Sequence, residues 1–173
     1  MNNPEKIRIV FVCHGNICRS PMAEYIFKYL AKEAGVEDRF EVSSAAVSTE
    51  ETGNDIYPPA KLKLREHGIP FGPHRAHQLT REEYEYNDKV ICADYDNITY
   101  IPDIAHQDFD DIVDYFGTDE KTSLMMQWAG ERRDVSDPWY TRNFEAAYQD
   151  IYVACKACIA RFINMVVDSE GRL

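Results

Sequence analysis

Residues 13 to 19, CHGNICR, put two thiols and a guanidinium inside one short loop, directly after the apolar run IRIVFV at 7 to 12. Backbone N–H groups of residues 14 to 19, wrapped around a common centre, would form a concave nest, and the positive end of a helix starting near Ser20 would point into it. Gly15 and Asn16 are residue types that tolerate the left-handed backbone such wrapping demands. Arg19 adds a planar fork able to hold two oxygens of a phosphate-like group. Cys13, at the mouth of the strand, lies in the same positive field, which favours a thiolate. The pattern describes an anion cradle with a sulfur nucleophile placed for in-line displacement at phosphorus. Taken singly, Cys13 and Cys18 would be small core residues and Arg19 a surface charge. The conjunction of a preceding strand, Gly and Asn within the loop, and Ser20-Pro21 opening a periodic helix is what points to chemistry. A Walker-type phosphate loop is excluded, because no Gly-Lys-Ser/Thr follows.

Such a loop needs elements to hold it. Ile7 to Val12 is β-branched and apolar apart from Arg8, the pattern of a strand buried on both faces of a parallel sheet. Ser20 and Pro21 suit the N-cap and first position of a helix. Its residues Met22, Ile26, Tyr29 and Leu30 recur at helical spacing until Gly35 stops it. Phe40 to Ala45 reads as a second strand and Pro59 to His67 as a helix closed by Gly68, with Leu62 and Leu64 facing the core. Thr80 with Glu83 predicts a capping box, and Lys89 to Ala93 a further buried strand. Between 102 and 136, Ile112 to Phe116 is the candidate fourth strand and Ser123 to Trp128 a candidate helix. Asn143 opens the last helix. Phe144, Tyr148, Ile151, Cys155, Cys158, Ile159, Phe162, Ile163 and Val166 form its apolar stripe. Strands alternating with helices predict a right-handed α/β sandwich, with the ligand beyond the carboxyl ends of the strands, where CHGNICR lies.

The chain of 173 residues is 45% hydrophobic, enough for one buried core, and it has no internal repeat or linker to divide it, so residues 1–173 are expected to form a single domain. No apolar run of about 18 residues is present, and MNNPEKIRIVFV lacks the pattern of a secretory signal. A soluble, cytoplasmic protein is the expectation. Five cysteines, an odd count, argue for reduced thiols rather than a disulfide framework. The net charge of −11 disfavours nucleic acid and anionic membrane as partners, so an anion site here needs a local positive field set against the global one. Cys155 and Cys158 spell C-x-x-C but fall on the apolar stripe, and Cys92 falls in a strand; all three read as core. His67, His77 and His106 show no ligand spacing, so no metal is expected.

VCHGNICRSPMAE resembles the signature of the low-molecular-weight protein tyrosine phosphatases, and the likeness runs on through SSAAVS, HGIPFGPHRAHQLT, VICADYDN, DPWY and the final helix. The resemblance implies a flavodoxin-like three-layer sandwich with a four-stranded parallel sheet and helices on both faces. It implies metal-free and cofactor-free hydrolysis through a phosphocysteine. Cys13 would be the nucleophile, Arg19 would bind the phosphoryl oxygens, and Ser20 would hydrogen-bond the thiolate. Asn16, Ser44 and His74 match positions that hold the loop in shape. His14, Gly15, Ile17, Cys18, Glu50, Trp139 and Tyr140 would complete the phosphate and substrate pocket. A leaving phenolate must be protonated as it departs, a role worth about 10²–10⁴-fold. Asp137 in DVSDPWY matches the family's general acid, which would then act as base toward water, with Pro138 stiffening its loop. Cys18 would be a resolving thiol for oxidised Cys13, or a loop-packing residue, or both.

The implied partners are phosphotyrosine proteins or small aryl phosphates, with inorganic phosphate as product and a monomeric enzyme. His14, Glu50 and His77 depart from the residue types common at their positions and bear on substrate preference. Two relatives of the fold are alternatives. Arsenate reductase needs two further redox cysteines, which the stretch after Ala93 lacks; for an arginine phosphatase, threonine would be expected where Ile17 stands. A non-catalytic phosphate-binding module would require one catalytic group to be missing, and all three are present.

Overall fold

The computed structural model describes residues 5–170, with side chains to residue 165. In chain order it contains β1 (Ile7–Cys13), α1 (Arg19–Glu33), β2 (Phe40–Ala46), α2 (Pro58–Glu66), α3 (Arg81–Tyr86), β3 (Lys89–Cys92), α4 (Tyr95–Ala105), α5 (Phe109–Val113), β4 (Thr122–Leu124), α6 (Met125–Trp128), α7 (Pro138–Thr141) and α8 (Phe144–Glu170). The four strands form one parallel sheet in the order β2-β1-β3-β4. This is the flavodoxin-like α/β fold.

β1 sits inside the sheet, and its pleat sends alternate side chains to opposite layers. Ile9 and Phe11 pack with Met22, Ile26 and Phe27 of α1 and with the α8 stripe. Val10 and Val12 pack with Ile98 and Ile101 of α4, Ile112 and Val113 of α5, and Leu124. Helices therefore cover both faces. The stripe of α8 is buried at Phe144, Tyr148, Ile151, Cys155, Cys158, Ile159 and Phe162 and half-buried at Ile163; the side chain of Val166 lies outside the described residues. Cys92, Cys155 and Cys158 are buried free thiols.

Four local expectations are corrected. Ile112 to Phe116 is no strand: Ile112 and Val113 end helix α5 and are both buried, adjacent positions that an alternating strand would send to opposite faces, and Phe116 is buried just beyond the turn that follows. The fourth strand is Thr122–Leu124, three residues placed by pairing with β3, and only Met125–Trp128 of the expected helix is helical. Leu62 is exposed, and α2 reaches the core through Leu64 and Ala60 instead. α1 begins at Arg19 with Cys18 as N-cap, because the Ser20 hydroxyl is used elsewhere.

The chain leaves β1 for β2 on one side and reaches β3 on the other, so the carboxyl ends of β1 and β3 flank a crevice. Cys13 ends the first of these strands. Asp94 follows the second, capping α4 through its side chain.

Candidate active site

Between β1 and α1 the backbone curls so that the Asn16 N–H donates to Cys13 Sγ at 3.3 Å. Asn16 makes the curl possible by adopting a left-handed conformation, φ +59°, which its short amide side chain tolerates better than most. Gly15 has no positive φ. Its requirement is space, since a Cβ there would lie 3.1 Å from Glu51 Cγ.

The thiol is only 3% exposed and takes a second contact from Ser20 Oγ at 3.0 Å. The direction of that contact follows from the network behind it. Asn16 Nδ2 donates to Ser20 Oγ at 2.8 Å and to Ser44 Oγ at 3.0 Å, while Asn16 Oδ1 accepts from the His77 N–H at 3.3 Å. With its oxygen receiving the amide proton, the Ser20 hydroxyl points its own proton at sulfur. Ser44 likewise sends its proton outward, to Glu24 Oε1 at 2.7 Å. His74 Nε2 donates to the Asn16 carbonyl at 2.7 Å. The Asn16 side chain thus ties the loop to Ser20 at the start of α1 and to Ser44 on β2, and His74 holds the Asn16 carbonyl.

Arg19 is among the most deeply buried large side chains, at 2% exposure. Nη1 donates to Asp94 Oδ2 at 2.7 Å and to the Val135 carbonyl at 2.8 Å, and Nη2 donates to Asp137 Oδ2 at 3.2 Å. Burial opposes its charge, but Cys13, Asp94 and Asp137 outweigh that penalty and hold the guanidinium above its ordinary range. Asp137 uses its other oxygen to accept from the Trp139 N–H at 3.0 Å, and Pro138 occupies the first turn of α7, so the carboxyl group is fixed at a helix start. Cys18 is buried in the same loop; burial, with the charge of Cys13 next, pushes its thiol up and keeps it protonated.

These groups open onto one cavity of about 130 Å³ lined by Cys13, His14, Gly15, Ile17, Cys18, Arg19, Glu50, Glu51, Asp137, Trp139 and Tyr140. Sulfur and guanidinium lie toward the floor, the Asp137 carboxyl group is partly exposed at the edge, and Tyr140, 82% exposed, stands at the rim. Trp139 packs on Tyr57 with ring centroids 5.0 Å apart. His77 lies outside the lining and pairs with Glu83. Sequence reasoning missed Asp94, Glu51 and Tyr57. Asp94 had a signal: in Asp94-x-x-Asn97 the two side chains cap each other's backbone at the head of α4, directly after an apolar strand. No group of three or more metal-ligating side chains occurs among the described residues, and none of their helices is long and apolar enough to cross a membrane.

A thiol receiving two hydrogen bonds, a buried cation and a carboxyl group in one small cavity can transfer a phosphoryl group to sulfur. Comparison with known proteins points the same way. The family described as low molecular weight phosphotyrosine protein phosphatase matches residues 8–167. A low molecular weight protein-tyrosine-phosphatase of Bacillus subtilis, YfkJ, is 34% identical over 156 residues, covering 89% of this chain and 94% of the relative. The low molecular weight phosphotyrosine protein phosphatase of Gallus gallus is 31% identical over 156 residues, covering 88% and 94%. The crystal structure of YfkJ superposes with a TM-score of 0.84 at 31% identity, over 95% of this chain and 99% of that one. A Drosophila arginine phosphatase shares the fold, with a TM-score of 0.78 at 24% identity over 90% and 98% of the two chains.

Proposed function

The chain belongs to the low molecular weight phosphotyrosine protein phosphatases and is a protein tyrosine phosphatase, and we propose that Cys13, Arg19 and Asp137 carry its reaction through a phosphocysteine. Arg19 and the loop N–H groups bind the phosphoryl oxygens. The Cys13 thiolate attacks phosphorus, an S–P bond forms, and the bond from phosphorus to the phenolic oxygen breaks. Asp137, in its acid form, gives its proton to the departing oxygen. Water then attacks phosphorus, the Asp137 carboxylate takes a proton from it, and the S–P bond breaks to release inorganic phosphate and the thiolate.

The observation that carries this reading is the hydrogen-bonded Cys13 sulfur in the same cavity as the Arg19 guanidinium and the Asp137 carboxyl group. The aromatic rim suits a phosphorylated ring, and Ile17 lines the pocket without a hydroxyl that could serve a guanidino nitrogen. We further propose that residues 1–173 act as one catalytic domain, a cytoplasmic monomer needing neither metal nor cofactor. Peroxide would convert Cys13 to a sulfenic acid; the Cys18 sulfur would then attack the Cys13 sulfur, the S–S bond forming as the S–O bond breaks and the hydroxyl leaves with the Cys18 proton as water, to give a reversible disulfide.

The test is a pair of variants assayed on phosphotyrosine and on an aryl phosphate with a good leaving group. Cys13→Ser should abolish turnover of both while the protein stays folded. Asp137→Asn should lose about 10²–10⁴-fold on phosphotyrosine and markedly less on the activated ester. Residual turnover by Cys13→Ser near the parent level, or an equal loss on both esters for Asp137→Asn, would overturn the assigned roles.

A further inference from the structure

The rim of the cavity carries charges that phosphoryl transfer itself does not require. Glu50 and Glu51 both line it. Their turn is fastened to the nucleophile loop, because the Ser48 N–H and hydroxyl both donate to the His14 carbonyl, at 3.1 and 3.0 Å. Glu50 Oε2 meets His14 Nε2 at 3.0 Å. Glu51 lies across Gly15 and accepts from Asn54 Nδ2 at 2.7 Å. Both carboxylates are therefore held in place. The aromatic arc of the rim is charged in the opposite sense: Arg142 stands 5.6 Å from the centre of the Trp139 ring and donates to the Tyr57 hydroxyl at 3.2 Å.

A phosphate ester enters with about two negative charges. Arg19 at the floor already faces two carboxylates, so it offers the rim no surplus positive charge. A residue flanking the phosphorylated ring that passes over Glu50 and Glu51 meets two fixed anions, whereas one passing over the aromatic arc meets Arg142. Resting on the phosphatase reading, we infer that the mouth is a one-sided charge filter: it selects phosphotyrosine segments with lysine or arginine flanking the ring on the Glu50–Glu51 side and rejects those with an acidic residue there. One-sidedness separates this filter from the overall field of a chain with net charge −11, which would reward a cation at any flanking position.

The experiment uses phosphotyrosine peptides carrying one lysine, one glutamate or one alanine at each of three positions before and after the phosphotyrosine, with a small aryl phosphate as reference. On one side of the ring, lysine should raise kcat/KM about 3–10-fold over alanine, mainly through KM, and glutamate should lower it by a similar factor; high salt should compress both effects. The double substitution Glu50→Gln with Glu51→Gln, shown folded by circular dichroism, should bring the lysine-to-glutamate ratio on that side close to one. A lysine effect equal on both sides, or a one-sided effect that survives the double substitution, overturns the filter. No turnover of the aryl phosphate by the parent protein overturns the phosphatase reading instead, so the two failures are distinguishable.

Discussion

Replacing Asn16 with aspartate tests whether the direction of the amide protons, rather than the shape of the loop, makes the sulfur reactive. Aspartate is nearly isosteric and tolerates the same left-handed backbone at φ +59°. The substitution exchanges the Nδ2 donor for a carboxylate oxygen that faces Ser20 Oγ at 2.8 Å and Ser44 Oγ at 3.0 Å. Both hydroxyls then turn their protons inward, and Ser20 withdraws its proton from Cys13 Sγ, 3.0 Å away. A hydrogen bond to a charged group is worth about 1.5–3 kcal/mol, which at about 1.36 kcal/mol per decade gives a loss of about 10–100-fold in kcat/KM. The introduced charge is fully buried with hydroxyl and N–H donors but no cation, and Ser44 gives up its bond to Glu24, whose loss costs about 1–3 kcal/mol of folding stability.

Urea denaturation reads the stability, steady-state turnover of an aryl phosphate reads the rate, and iodoacetamide alkylation of Cys13, followed by mass spectrometry, reads the thiolate. All three should fall together. The defect should shrink as pH falls, because the protonated form of the introduced carboxyl group is a donor again. A variant that keeps its stability within about 1 kcal/mol and its rate within about threefold would refute the reasoning, since the two hydroxyl bonds given up, to Cys13 and to Glu24, are together worth about 2 kcal/mol.

Asp94→Asn leaves an oxygen to cap α4 but turns an amide donor toward Arg19 Nη1, so the guanidinium loses its 2.7 Å anchor; kcat/KM should fall about 10–100-fold, and an unchanged value would remove Asp94 as the anchor of Arg19. Glu145 is held down at about 2 by the Gln149 side chain first, then by His67 and Lys63. Its carboxylate therefore adds stability above the ordinary value near 4.5, and that contribution is lost as pH falls toward about 2. Because the side chain is 42% exposed, the effect is small. The difference in melting temperature between the parent and Glu145→Gln should narrow from pH 6 to pH 2, and a constant difference would remove the assignment.

What was legible in the sequence follows the distance over which each feature is determined. The nucleophile loop is seven contiguous residues, so Cys13, Asn16 and Arg19 reveal their relation through spacing alone. The α8 stripe is legible because its helix buries one face along most of its length. Asp94 is another matter, since its contact to Arg19 spans 75 residues and exists only because β3 pairs beside β1. Helix α4 was hidden for a similar reason. Its interior contains Pro102 and a run of Asn97, Ile98 and Thr99 with modest helix propensity, and it is held by the burial of Ile98 and Ile101 on the sheet. β4 is three residues long, too short to show a period, and pairing with β3 defines it. Glu51 gave no signal, because a glutamate in a polar turn looks like solvent-facing charge until Gly15 is seen beneath it.

An acidic chain that must bind an anion needs a cation it can bury without losing it, and the contacts of Arg19 indicate how this one does so. Desolvation alone would make an isolated guanidinium costly, so the cation is matched by Asp94, by a backbone carbonyl, by the sulfur of Cys13 and by Asp137. The match is graded. Asp94 is the short contact at 2.7 Å and also caps a helix, which makes it the fixed partner, whereas Asp137 is the longer contact at 3.2 Å, from a carboxyl group at the edge of the cavity. In the proposed reaction, a phosphoryl oxygen above the sulfur would compete for Nη2 with Asp137 rather than with Asp94, which holds Nη1. The oxygen that takes Nη2 would free Asp137 Oδ2 from its 3.2 Å contact, so phosphate binding and proton delivery would be coupled through one nitrogen of one buried side chain.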